Sequence, residues 1–101
     1  MTEALDTKTL TLMSEVFARY PDVQQVLLYG SRAKGTHHER SDIDITLVGE
    51  NLDRFTVGAV QMDLDDLDIP WQVDAQSLHD LHNPALLEHI NRVGRVIWSA
   101  E

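Results

Sequence analysis

Cysteine is absent from this chain, which excludes a disulfide framework and thiolate chemistry. Basic residues are scarce: 8 Lys and Arg stand against 17 Asp and Glu, for a formal net charge of −9. Non-specific binding to duplex DNA or RNA depends on basic side chains displacing counterions. Direct duplex binding is therefore not expected, and a nucleic-acid polymerase acting alone is disfavoured. The same balance favours a small nucleotide held through a metal, or a basic protein partner. No apolar run is long enough to span a bilayer. Residues 1–12 are polar and lack the basic flank and apolar stretch of a signal peptide. The expectation is a soluble cytoplasmic protein. Repeats, low-complexity tracts and linkers are missing as well, so a single domain over residues 1–101 is expected. The apolar fraction of 43% suffices for a globular core.

What is present is a regular alternation of elements. Leu5, Leu12, Met13, Val16, Phe17 and Tyr20 share one face of a helix predicted over residues 3–20, stopped by Pro21. Val23–Tyr29 reads as a buried strand ended by Gly30, and residues 31–41 as a polar turn or short helical turn. Ile43, Ile45 and Leu47 alternate with Asp42, Asp44 and Thr46, the period of a half-buried strand. Gly49–Asp53 is a turn, and Thr56–Leu67 suits a helix with Ala59, Val60, Leu64 and Leu67 inward. A third strand is predicted at Trp71–Ala75. Asn83-Pro84 opens a helix through Arg92 that turns Leu86, Leu87 and Ile90 inward, and Val96–Trp98 forms a last short strand. The fold class is α/β (α+β), a mixed sheet flanked by helices.

Residues 30–44 carry the strongest functional signal. Gly30-Ser31 follows an apolar run, and after ten further residues Asp42 and Asp44 open the next one. A glycine turn brings backbone N–H groups close to a phosphate. Carboxylates at i and i+2 of a strand share a face, roughly 6–7 Å apart along the backbone, where they can hold hard cations such as Mg²⁺. Each half of this pattern also has an ordinary explanation, a turn or a wet strand face. Together they place both halves at one edge of one sheet and suggest phosphoryl or nucleotidyl transfer. Two metals require more than two acids, and Asp74 is the candidate third, against the alternative of a solvated strand residue. Arg32, Lys34 and Arg40 cluster beside the turn and suit phosphate neutralisation. The acids Asp63, Asp65, Asp66 and Asp68 read as a solvated helix face. His37 and His38 fall in the polar loop without further ligands at zinc spacing. His79, His82 and His89 are scattered; His79 and His82 have a spacing that could bind a metal on a helix, but all three are expected to face solvent.

Gly30-Ser31, ten residues, then Asp42-x-Asp44 resembles the signature of the polymerase-β-type nucleotidyltransferase superfamily. The fuller run Gly30-Ser31-Arg32-Ala33-Lys34-Gly35 with Ser41-Asp42-Ile43-Asp44-Ile45 resembles its small stand-alone branch, the minimal nucleotidyltransferases (MNT). The likeness extends over nearly the whole chain. It implies nucleotide binding by Gly30, Ser31, Arg32 and Lys34, and catalysis and Mg²⁺ binding, with two ions, by Asp42, Asp44 and Asp74. It also implies ATP as substrate and AMP transfer to a tyrosine hydroxyl of a HEPN-domain RNase toxin in a hetero-complex, with this chain as antitoxin. Two other readings stay open: a non-catalytic module that occludes its partner, and the catalytic subunit of a small-molecule nucleotidyltransferase.

Overall fold

The computed structural model describes residues 5–35 and 42–100. Asp6 starts the first helix, α1 (Thr7–Ala18), by accepting a hydrogen bond from the Thr9 N–H at 2.7 Å. This cap sets the start later than the periodicity predicts, although Leu5 is still buried. Strand β1 (Gln25–Tyr29) runs directly into a short helix, α2 (Gly30–Lys34), which Gly35 closes in the left-handed conformation. Strand β2 (Ile43–Val48) returns alongside β1. Asp53 caps α3 (Arg54–Asp65) through the Thr56 N–H. Strand β3 (Val73–Ser77) precedes a single 3-10 turn at Leu78–Asp80. Helix α4 (Pro84–Val93) is capped by Asn83, and strand β4 (Arg95–Ser99) follows it.

The four strands form one sheet in the order β3-β2-β1-β4. β1 is antiparallel to both β2 and β4, whereas β2 and β3 are parallel. This is the expected mixed α+β sheet. Register sorts the side chains by face. Val26, Leu28, Ile43, Ile45, Leu47, Val73 and Ala75 point to one side, where Met13, Val16 and Phe17 of α1 and Val60 and Leu64 of α3 bury them. Each fully buried Val, Leu, Ile, Phe or Met side chain among them contributes about 1.5–3 kcal/mol. The opposite face carries Leu27 and Tyr29 from β1, Asp44 and Thr46 from β2, and Asp74 and Gln76 from β3. Helix α4 approaches this second face, with the His89 ring edge-on to Tyr29.

The third strand lies two residues later than the sequence pattern suggests. Trp71 stays outside it, because its ring lies 4.9 Å from the Arg32 guanidinium carbon instead of alternating along the ladder. Helix α3 likewise starts and ends earlier than Thr56–Leu67, since the cap is Asp53. The acid run at its end is structural where it is engaged. Asp63 accepts from the Tyr20 hydroxyl and Arg19, and Asp65 from Gln61.

β3 is an edge strand, and its outer edge is finished by a side chain. Gln61 of α3 donates to the Val73 carbonyl at 2.8 Å and accepts from the Ala75 N–H at 2.9 Å. It thus supplies both bonds that a further strand would make across Asp74, and it blunts an exposed edge. Replacing Gln61 with Ala is expected to lower unfolding free energy by about 1–2 kcal/mol in urea titration. Amide exchange at Ala75 should speed up as well. Gln61→Glu, which keeps the acceptor and loses the donor, should fall between.

Candidate active site

The antiparallel pairing of β1 with β2 brings the two halves of the signature together. Tyr29 is the register partner of Asp44, so Gly30 begins one residue beyond the end of that pairing. Gly30 adopts φ +76°, a conformation that favours glycine. A Cβ built on it would lie 2.5 Å from Asp44 Oδ2. The position therefore demands glycine twice, for its dihedral and for the carboxylate packed on its Cα.

Asp44 is in turn the register partner of Asp74 across the parallel β2–β3 pair. Tyr29, Asp44 and Asp74 thus form one row across three strands on one face, with neighbouring strands about 4.8 Å apart. Asp42 precedes β2 and is exposed, Asp44 is half-buried, and Asp74 is exposed on the edge strand. Burial pushes the Asp44 carboxyl above its ordinary range, and the negative charges of Asp74 and Asp42 push it further. Burial, Asp44 and Asp74 also raise Tyr29, keeping its phenol neutral.

This donor set is made of carboxylate oxygens that repel one another, which suits a hard divalent cation. Among the described residues, no three His, Asp or Glu side chains are already gathered closely enough to hold a metal. The fit therefore lies in the donors and their mutual repulsion, which a cation would relieve by drawing the acids together.

The other expected contacts divide. Ser31 lies in the first turn of α2, and Lys34 is exposed at its end. Arg32 is buried and stacks on Trp71. Burial lowers its affinity for a proton, and Asp6 and Asp42 counter that effect. Arg40, His37 and His38 lie outside the described residues. Two cavities, of about 570 and 350 Å³, share Leu78 and Leu87. The larger reaches the far end of β2 at Val48 and Gly49, and neither is lined by the aspartates. The acid row belongs to the sheet edge, not to these cavities.

His89 corrects the sequence reading. It is half-buried rather than solvent-facing, and its Nε2 accepts the Gly30 N–H at 3.1 Å. The signal was its spacing: His89 lies three residues after Leu86 and one before Ile90, within the inward stripe of α4.

The "Polymerase beta, Nucleotidyltransferase" family model matches residues 12–101. No curated protein matches the sequence. Among solved structures, the crystal structure of a toxin–antitoxin with AMP-PNP is 25% identical, with a TM-score of 0.69, and the match covers 96% of this chain and 76% of that one. A Shewanella oneidensis complex of a tri-AMPylated HEPN toxin with its MNT antitoxin is 20% identical, with a TM-score of 0.69, covering 95% and 74% of the two chains. A nucleotidyltransferase-like protein of Sulfolobus solfataricus is 20% identical, with a TM-score of 0.57, covering 98% and 89%. The last two likenesses concern the fold.

Asp44 has a folded-state pKa above its unfolded value. The stabilisation supplied by its neutral form is complete below the unfolded value and is lost as pH rises through the folded one. Without divalent cations, Asp44→Asn is therefore expected to melt a few degrees above the wild type near neutral pH. Thermal scans should show the gap closing as the pH falls below the ordinary carboxylate range.

Proposed function

The chain belongs to the polymerase beta nucleotidyltransferase family, and from that premise we propose that it is a Mg²⁺-dependent protein adenylyltransferase. It transfers AMP from ATP to a tyrosine hydroxyl of a HEPN-domain toxin and acts as the antitoxin of that pair. The observation that carries this reading is the row of Asp44 and Asp74 against Gly30, on a fold shared with a toxin–antitoxin solved with AMP-PNP. Asp74 is exposed on an edge strand, which favours an acceptor carried on a large partner. The net charge of −9 complements an RNase, whose surface must be basic to hold RNA.

In this mechanism Gly30 lets the triphosphate approach the backbone, and the Ser31 hydroxyl donates to its terminal phosphates. Lys34 and Arg32 offset phosphate charge, Arg32 from its buried position. Asp42 and Asp44 would hold one Mg²⁺, and together with Asp74 a second. Bound cations of this kind neutralise the triphosphate and lower the pKa of an attacking hydroxyl. A phenol has a pKa of about 10, so its proton needs an acceptor at neutral pH. Asp74 takes that proton as the tyrosine oxygen bonds to the α-phosphorus. The bond from that phosphorus to the bridging oxygen breaks in line, and pyrophosphate leaves.

Intact-mass spectrometry of the co-purified partner, incubated with ATP and Mg²⁺, tests the reading. The partner should gain one or more AMP units with the wild type. Asp42→Asn and Asp44→Asn should each reduce the rate by about 100-fold or more. A partner that stays unmodified yet inhibited would replace this reading with occlusion. In thermal scans Mg²⁺ should raise the melting temperature of the wild type and leave that of Asp42→Asn/Asp44→Asn unchanged.

A further inference from the structure

The Gly30 N–H is the first amide of α2, and the first amides of a helix have no partner within it. It also lies just past the last register pair of β1 and β2, Tyr29 with Asp44. Neither the helix nor that ladder provides its acceptor. A side chain from a remote element does: His89 Nε2, at 3.1 Å, from α4. An accepting Nε2 requires the neutral imidazole with its proton on Nδ1. The same ring meets Tyr29 edge-on, with centroids 6.3 Å apart. His89 therefore holds the two residues immediately preceding Ser31, one through its ring and one through its nitrogen.

The contact reaches the acid row as well. Gly30 Cα lies against the Asp44 carboxylate, so closely that a Cβ would meet Oδ2 at 2.5 Å. A rotation of the Gly30 peptide would move both the start of the phosphate-facing turn and the surface on which Asp44 rests. Engaging the Gly30 amide also decides what is offered to a phosphate. In this arrangement Gly30 contributes close approach, and donation begins at Ser31.

We propose that His89 is a positioning residue for the nucleotide site: by accepting the Gly30 amide it fixes the left-handed Gly30 turn, and through it Ser31 and Asp44. The proposal rests on the nucleotidyltransferase reading, in which these residues meet the triphosphate. Positioning partners one step removed from a ligand-binding group commonly contribute 10–100-fold in affinity or activity.

Two variants separate positioning from packing. His89→Phe keeps an aromatic ring against Tyr29 and removes the acceptor. His89→Gln removes the ring and keeps an acceptor. Amide exchange at Gly30, followed by NMR in the nucleotide-free chain, should accelerate about tenfold or more in His89→Phe and return towards wild type in His89→Gln. Calorimetric affinity for AMP-PNP with Mg²⁺ should fall about tenfold in His89→Phe and recover in His89→Gln. A purely structural role would instead follow the ring, with His89→Gln the more damaged variant in both readouts, and that would overturn the proposal. Equal Gly30 protection in His89→Phe and wild type would also overturn it. A wild type that binds no AMP-PNP would count against the adenylyltransferase reading, and Gly30 exchange would then decide by itself whether His89 holds the turn.

Discussion

The antiparallel pairing of β1 with β2 is the constraint on which the site depends. It matches Tyr29 to Asp44 and so stacks Gly30 on the carboxylate that follows it 14 positions later in the chain. A slip of one residue would turn Asp44 into the core and Ile45 out of it. The register is therefore enforced by Val26, Leu28, Ile45 and Leu47, all fully buried beneath α1 and α3. The hydrophobic core and the acid row are two faces of one alternation.

On that frame the charged face is assembled against its own electrostatics. Asp44 is half-buried beside two like charges, a costly placement for a carboxylate without a compensating cation. Such an arrangement is expected where a ligand supplies the missing positive charge. The surroundings brace it. Gln61 secures the backbone on both sides of Asp74, His89 secures the amide of Gly30, and Trp71 stacks on Arg32. The acids are thus held by side chains that carry no signature of their own.

Much of this was legible in the linear chain. The alternation at 43–47 marked a strand and its two faces, and Asn83-Pro84 marked the start of α4. The Gly30-Ser31 and Asp42-x-Asp44 spacing pointed to one sheet edge. Boundaries were less legible, because α1 and α3 are capped by Asp6 and Asp53, and a cap competes with apolar periodicity as a start signal. Trp71 continues the alternation of Val73 and Ala75 in the sequence but lies outside the strand, against Arg32, a partner 39 positions away in the chain.

By itself, then, the sequence determined the elements, the buried face and the acids that share the opposite one, since these follow from local periodicity and short-range spacing. Only the tertiary structure decided which remote side chains hold them. His89 lies 59 residues from Gly30, and Gln61 lies 12 and 14 residues from its two partners. A hydrogen bond between distant positions depends on where α3 and α4 land against the sheet, and no spacing along the chain encodes it. A histidine in an apolar helical stripe and a glutamine on an amphipathic helix are ordinary residues until folding brings a backbone group within reach.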